Sequence, residues 1–255
     1  LDRVRIGLTG AAPISPDLIG WFRALGVPLY EAFGLTENVA FACGNHRGQV
    51  RLGTVGKPPP GVELKTAEDG ELLIKGPLVF KGYYNQALKT AETIVDGWLY
   101  TGDIAEIDAD GFVKIVDRKK DIIITSGGMN ISPSEIENQL KFSPYVTDAV
   151  VIGDRRKYLT CLVMIDNETV CQFAQENNVP FSDFKSLCAT AEVQSLIKSE
   201  IERINLSLAQ VETLKKFRLI GKQLTVEDDE LTASMKLKRN VVNEKYADLI
   251  DQMYS

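Results

Sequence analysis

Four short stretches of this sequence place reactive side chains beside backbone that can bend or admit a ligand. In Tyr30-Glu31-Ala32-Phe33-Gly34-Leu35-Thr36-Glu37, aromatic residues flank a glycine turn that presents a hydroxyl and a carboxylate side by side. Thr36 can donate to a phosphate oxygen, and Glu37 offers a hard oxygen ligand to Mg²⁺. Read without context, Thr-Glu is equally a common helix opening. Thr9-Gly10-Ala11-Ala12-Pro13 follows a strand-like alternation, and residues as small as Gly10, Ala11 and Ala12 let a planar or phosphorylated ligand approach the backbone. Thr101-Gly102-Asp103 sets a carboxylate just after a glycine turn, where it can accept from two adjacent hydroxyls. Lys236 stands in Leu231-Thr232-Ala233-Ser234-Met235-Lys236-Leu237-Lys238-Arg239, after the acidic run Glu227 to Glu230. It can swing into a distant site as a point charge or simply open a basic helix.

The elements that must position these groups follow from periodicity. Val4–Leu8 alternates like a strand. Ser15-Pro16 opens a helix carrying Leu18, Ile19, Phe22 and Leu25 that stops at Gly26, and Val27–Tyr30 reads as the next strand. From Arg51 to Asp117 short strands with Gly and Pro punctuation predict a small distorted antiparallel barrel, with Tyr83 and Tyr84 as packing. Ile104–Ile107 and Phe112–Val116 form a hairpin around Asp108-Ala109-Asp110-Gly111. Ile122–Ile124 reads as a short buried strand ending at Ser126-Gly127-Gly128. Ser132, Pro133 and Glu135 read as a capped helix start with a capping box. The polar joint Asp117-Arg118-Lys119-Lys120 between these pieces reads as a hinge. Beyond it lie two strands, Tyr145–Gly153 and Tyr158–Asp166, and a helix bearing Val193, Ile197, Ile201, Ile204, Leu208 and Val211 that runs to about Leu214. A strand over Phe217–Ile220 and a last helix after Arg239 complete the chain.

Taken together, Tyr100-Thr101-Gly102-Asp103, Asp117-Arg118-Lys119-Lys120-Asp121, Ser126-Gly127-Gly128 and Pro133-Ser134-Glu135-Ile136-Glu137 resemble the adenylate-forming superfamily of acyl-CoA synthetases, luciferases and adenylation domains. Each fragment alone is unspecific; their order is not. The resemblance is nearest to long-chain fatty acyl-CoA synthetases. It implies α/β and α+β architecture: the end of a large domain over 1–117, with an α/β segment to about 50 and a barrel over 51–117, then a small mobile domain over 118–255 with a helical insert at about 167–214. It also implies roles. Thr36 contacts the adenylate phosphate, Glu37 binds magnesium, and Phe33 lies near adenine, with Tyr30, Glu31, Gly34 and the Gly10–Ala12 turn on the same nucleotide side. Asp103 and Arg118 hold the ribose. Lys120 sits at the hinge, Gly127 borders the path of the coenzyme A thiol, and Lys236 is the adenylation lysine. Ala233 and Met235 depart from the Pro and Gly usual in that last motif. The implied substrates are a fatty acid, ATP and CoA. The superfamily's Ser/Thr/Gly-rich phosphate loop with its lysine appears nowhere in these 255 residues. The chain is therefore expected to be the C-terminal part of an enzyme and inactive alone.

Composition bounds the alternatives. A hydrophobic fraction of 44% and a charged fraction of 25% are those of an ordinary globular chain. A net charge of −6 argues against nucleic acid as the main partner. Cys43, Cys161, Cys171 and Cys188 are scattered and read as reduced thiols, and His46, the only histidine, reads as a surface loop residue without triad or zinc partners. A cytoplasmic setting is expected, with any peripheral membrane contact left to residues upstream. Two other readings stay open: an acyl-AMP ligase that loads a carrier protein, and a non-catalytic nucleotide-binding module.

Overall fold

The computed structural model describes residues 3–233 and 237–255. The chain divides into two compact units, residues 1–122 and 123–255. This division falls a few residues beyond the joint expected at 117/118, because Arg118 is still in a strand of the first unit, paired across from Asp103.

In the first unit, β1 (Gly7–Thr9), α1 (Pro16–Ala24) and β2 (Leu29–Phe33) form a parallel strand–helix–strand unit, with Thr9 opposite Glu31. Ser15 caps α1 through its hydroxyl and Pro16 occupies the first turn, while Ile19 is the helix residue driven into the core. Strand β3 (Cys43–Gly44) adds antiparallel to β2. The strands that follow are β4 (Glu63–Thr66), β5 (Glu71–Lys75), helix α2 (Ala87–Thr93), β6 (Ile94–Val95), β7 (Trp98–Ile107) and β8 (Val113–Arg118). They make an open five-stranded sheet in the order β4-β5-β7-β6, with β8 also on β7. The described strands do not close into the expected barrel. One long strand, β7, takes three partners along its length. Leu72, Ile74, Leu99 and Val113 fill the core beneath it.

The second unit begins with the two-residue hairpin β9 (Ile123–Ile124) and β10 (Asn130–Ile131). Helix α3 (Pro133–Lys141) follows; Ser132 occupies its N-cap position but makes no side-chain cap hydrogen bond, so the expected capping box is not formed. Strands β11 (Val146–Ile152) and β12 (Leu159–Ile165) pair antiparallel, and every residue of β12 is buried. Helices α4 (Asn167–Glu176), α5 (Phe184–Ala189) and α6 (Ala191–Asn205) follow. Helix α6 buries Val193, Ile197, Ile201 and Ile204 but ends at Asn205, well before Leu214. Leu214 instead opens β13 (Leu214–Leu219), which runs parallel to β12. The terminal helix breaks at Tyr246 into α7 (Arg239–Lys245) and α8 (Ala247–Tyr254). Met253 and Ile250 of α8 pack with Val150, Leu162 and Met164 on one side of this sheet. No helix among the described residues is long and apolar enough to cross a membrane.

Candidate functional site

The first cluster sits where parallel β1 and β2 both end. In open α/β sheets the carboxyl ends of adjacent strands leave a crevice in which loops meet ligands. Gly10 leaves β1 so close to β2 that a Cβ there would lie 2.7 Å from the Ala32 carbonyl oxygen. Ala11 follows in the left-handed region, φ 66°, and Gly10, Ala11 and Ala12 are all exposed. At the end of β2, Gly34 is mandatory: a Cβ would fall 2.1 Å from the Ala40 carbonyl carbon. The chain turns there into a single 3-10 turn, Thr36–Asn38, pinned by the Asn38 side chain, whose Oδ1 accepts from Leu35 N at 2.7 Å. Val39 and Ala40 pay for this tight return with left-handed backbone, φ 59° and 60°.

This turn leaves Thr36 exposed and Glu37 half-buried. Tyr83 donates its phenolic hydrogen to Glu37 Oε1 at 2.7 Å, and Phe80 N donates to the Glu37 carbonyl at 2.7 Å. Tyr83, expected only to pack, therefore orients the carboxylate; its spacing of 46 residues from Glu37 gave the sequence no local signal. The bond to Glu37 raises the Tyr83 pKa. Burial lifts Glu31 to about 7. Phe33 packs partly against the first unit's core. Tyr30 is a core residue, 5% exposed, with the Arg23 guanidinium 5.3 Å from its ring centroid.

The second cluster is built across β7 and β8. Thr101-Gly102-Asp103 is not a turn: it is a bulge inside continuous β7, with Gly102 at φ 72° and the register to β5 slipping beside it. Such a bulge re-aims the following side chain. Asp103 is 3% exposed and faces Arg118 directly across the sheet, with Arg118 Nε 2.7 Å from Oδ1. Its Oδ2 is buried and has no hydrogen-bond partner among the described residues. Burial pushes the Asp103 pKa up to about 6, with Arg118 pulling it down and Asp117, Glu71 and Asp121 pushing it further up. Glu71 holds the bulge from behind: Oε1 accepts from Gly102 N at 2.8 Å, and Oε2 pairs with Lys119 at 2.9 Å. Lys119 also pairs with Asp69 at 2.5 Å. Thus Arg118 and Lys119 are anchored, while Lys120 is exposed in the turn closed by the Arg118 carbonyl.

The two clusters are tied by backbone. Strand β3 pairs with β2, Gly44 pairs with Lys57, and Gly56 and Val113 pair at the start of β8. At Gly56, φ 81°, a Cβ would lie 1.9 Å from the Gly44 carbonyl carbon, so this crossing requires glycine.

In the second unit, Gly127 is exposed at the tip of the β9–β10 hairpin, with only Thr125 Oγ1, at 3.9 Å, near a Cβ built on it. Ile123 is buried but Ile124 is 52% exposed, so the expected buried strand is half a strand. Glu137 of α3 is buried and receives Val151 N at 2.7 Å and the Arg239 guanidinium at 2.7 and 2.8 Å. Arg239, the last residue of the stretch read as the adenylation motif, begins α7. Lys236 itself lies outside the described residues. Its flanks are held, by the antiparallel bridge of Leu231 with Leu237 and by Lys238 N donating to the Glu230 carbonyl at 2.8 Å. The Glu230 carboxylate, fully buried, pairs with Lys222 at 2.8 Å and Lys245 at 2.9 Å.

Sequence comparison gives the class of protein to which these features belong. The AMP-binding enzyme family matches residues 1–84, and the AMP-binding enzyme C-terminal domain matches residues 120–255. The chain belongs to the AMP-binding enzyme family. Among individual relatives, a putative fatty-acid–CoA ligase, fadD11, of Mycobacterium tuberculosis is 41% identical over 254 residues, which cover 99% of this chain and 44% of that protein. The long-chain-fatty-acid–CoA ligase FadD15 of Mycobacterium bovis is 37% identical over 252 residues, covering 98% of this chain and 42% of the relative. A solved structure of the A-PCP didomain of a carboxylic acid reductase from Segniliparus rugosus, in complex with AMP, matches with a TM-score of 0.76 and 26% identity, covering 100% of this chain and 35% of that one. The chain thus spans less than half the length of these curated relatives.

Proposed function

We propose that this chain supplies the ribose-facing, metal-facing and thiol-facing parts of an ATP-dependent long-chain fatty acid–CoA ligase. The observation that carries the reading is Asp103. A carboxylate kept 97% out of solvent, with one oxygen on Arg118 and the other buried without a hydrogen-bond partner among the described residues, is costly unless a ligand donor completes it. A ribose diol is such a donor, and the AMP complex of the carboxylic acid reductase relative supports the choice.

The chain's own groups then act in order. Asp103, ionised and aligned by Arg118, accepts from the ribose. Thr36, exposed at the β2 turn, donates to an oxygen of the phosphate whose phosphorus is attacked. Glu37 suits Mg²⁺ by its donor chemistry: it is a single carboxylate, one oxygen fixed by Tyr83, and Mg²⁺ bound with nucleotide commonly takes one or two carboxylates plus phosphate oxygens. The ion would offset phosphate charge as the fatty carboxylate bonds to the α-phosphorus and pyrophosphate leaves. Lys236 supplies positive charge in that first step, and losing one such contact costs on the order of 10²–10³ in rate. In the second step the thiol approaches along the Gly127 hairpin, which a side chain would narrow.

The test is thioester formation followed by mass spectrometry, with ATP, magnesium, CoA and fatty acids of several lengths, on this chain and on the full-length polypeptide. Acyl-CoA from the full-length polypeptide alone is the expected result. Release of AMP that ignores CoA would point to a carrier-protein acceptor, and silence in a folded full-length polypeptide would overturn the reading.

A further inference from the structure

The hairpin that carries Gly127 has very little structure of its own. Strands β9 and β10 are two residues each, closed by Thr125 N to the Met129 carbonyl at 3.0 Å and Gly128 N to the Thr125 carbonyl at 2.9 Å. Two-stranded hairpins of this size do not hold their shape unaided. Here the support comes from the turn between β11 and β12. Arg155 N donates to the Ile124 carbonyl at 2.8 Å, Ser126 N donates to the Arg156 carbonyl at 2.9 Å, and Ile124 N donates to Asp154 Oδ1 at 3.2 Å. The turn is itself strained, with Arg155 at φ 56°, so something must keep it in place.

What keeps it is the end of the chain. The Arg156 guanidinium lies 4.6 Å from the Tyr254 ring centroid and pairs with Asp251 at 2.7 Å. The Tyr254 hydroxyl reaches the carbonyls on both sides of the turn, Ile152 at 3.0 Å and Tyr158 at 3.1 Å, and accepts from Thr160 at 3.1 Å. Tyr158 returns a bond to the Met253 carbonyl at 2.9 Å. We infer that Tyr254 and Asp251, through Arg156, are positioning residues for the thiol-transfer step: the last turn of α8 fixes the Ser126-Gly127-Gly128 hairpin that the acceptor thiol must pass. This rests on the proposed ligase reading. The ring–guanidinium contact and the hydroxyl bridge form one continuous path from α8 to Ser126 N.

Two measurements test it. In this chain, amide exchange at Ser126 and Gly128 is expected to quicken about fivefold to tenfold in Tyr254→Phe, which loses only the hydroxyl bridge, with α3 protection unchanged. In the full-length polypeptide, Tyr254→Phe and Asp251→Ala are expected to leave pyrophosphate exchange within about twofold and to lower CoA-dependent thioester release roughly tenfold. Equal loss in both half-reactions, or unchanged exchange at Ser126, overturns the inference. Gly127→Val separates it from the reading beneath it. If that change spares thioester release, the hairpin does not border the thiol path and the reading fails there. If it blocks release while Tyr254→Phe does not, only the brace is wrong.

Discussion

Asp103 is where charge, burial and ligand chemistry meet in a single residue. Its pKa near 6 means that below this pH it is a neutral acid, able to donate but a poor acceptor. Nucleotide affinity, read with a fluorescent AMP analogue, is expected to rise as pH increases through about 6 and to level off above 7. Asp103→Asn should flatten the profile and weaken binding about tenfold or more, the usual scale for a hydrogen bond to a charged group. Glu31, raised to about 7, titrates close by in pH, so Glu31→Gln is the control that assigns the inflection. Stability runs the opposite way. A folded carboxyl that holds its proton more tightly than the unfolded one stabilises the fold at low pH, and that contribution is lost as pH rises from about 4 through 6. Thr36, Glu37, Asp103 and Arg118 were legible as site candidates because each stands in a short pattern. Tyr83 and Glu71 were not, because their partners lie 46 and 31 residues away and only the folded sheet brings them together.

Among the secondary-structure elements, glycine decides which turns can exist. At Gly34 and Gly56 the neighbouring backbone occupies the space of a side chain, whereas Gly127 opens onto solvent with no left-handed backbone. Gly34→Ala is expected to lower stability by roughly 1–3 kcal/mol, as overpacking does, while Gly127→Ala leaves it unchanged; thermal unfolding of the two variants checks the contrast. The sequence pattern located most strands and helices but not their ends. Leu208 and Val211 continued the apolar rhythm of α6, yet the helix stops at Asn205, whose side chain bonds both Leu214 N and the Leu214 carbonyl and turns the chain into β13. A period of three and four residues cannot announce a stop made by a side chain nine residues from its partner. The expected barrel failed for a related reason: short punctuated strands say that a sheet is small, not whether its edges meet.

For the molecule as a whole, two units with separate cores predict responses confined to one of them. Glu137→Ala removes the buried carboxylate that pairs with the largely buried Arg239 guanidinium, a loss of roughly 3–5 kcal/mol. Amide exchange should accelerate throughout 123–255 and stay unchanged in the β5–β7–β8 sheet. Glu137→Leu combined with Arg239→Met should recover much of that loss; acceleration in both units would mean that they unfold as one. The ion pairs also have a chemical consequence. The proposed ligase would handle an activated acyl group, which any free amine nearby can intercept. Lys119, clamped between Asp69 and Glu71, and Lys222, clamped between Asp228 and Glu230, both have their pKa raised by these carboxylates. Each is thereby held as an ammonium ion without a lone pair to attack. The same contacts that brace the Asp103 bulge and hold Glu230 keep those two lysines protonated, and in the proposed ligase both are expected to resist acylation.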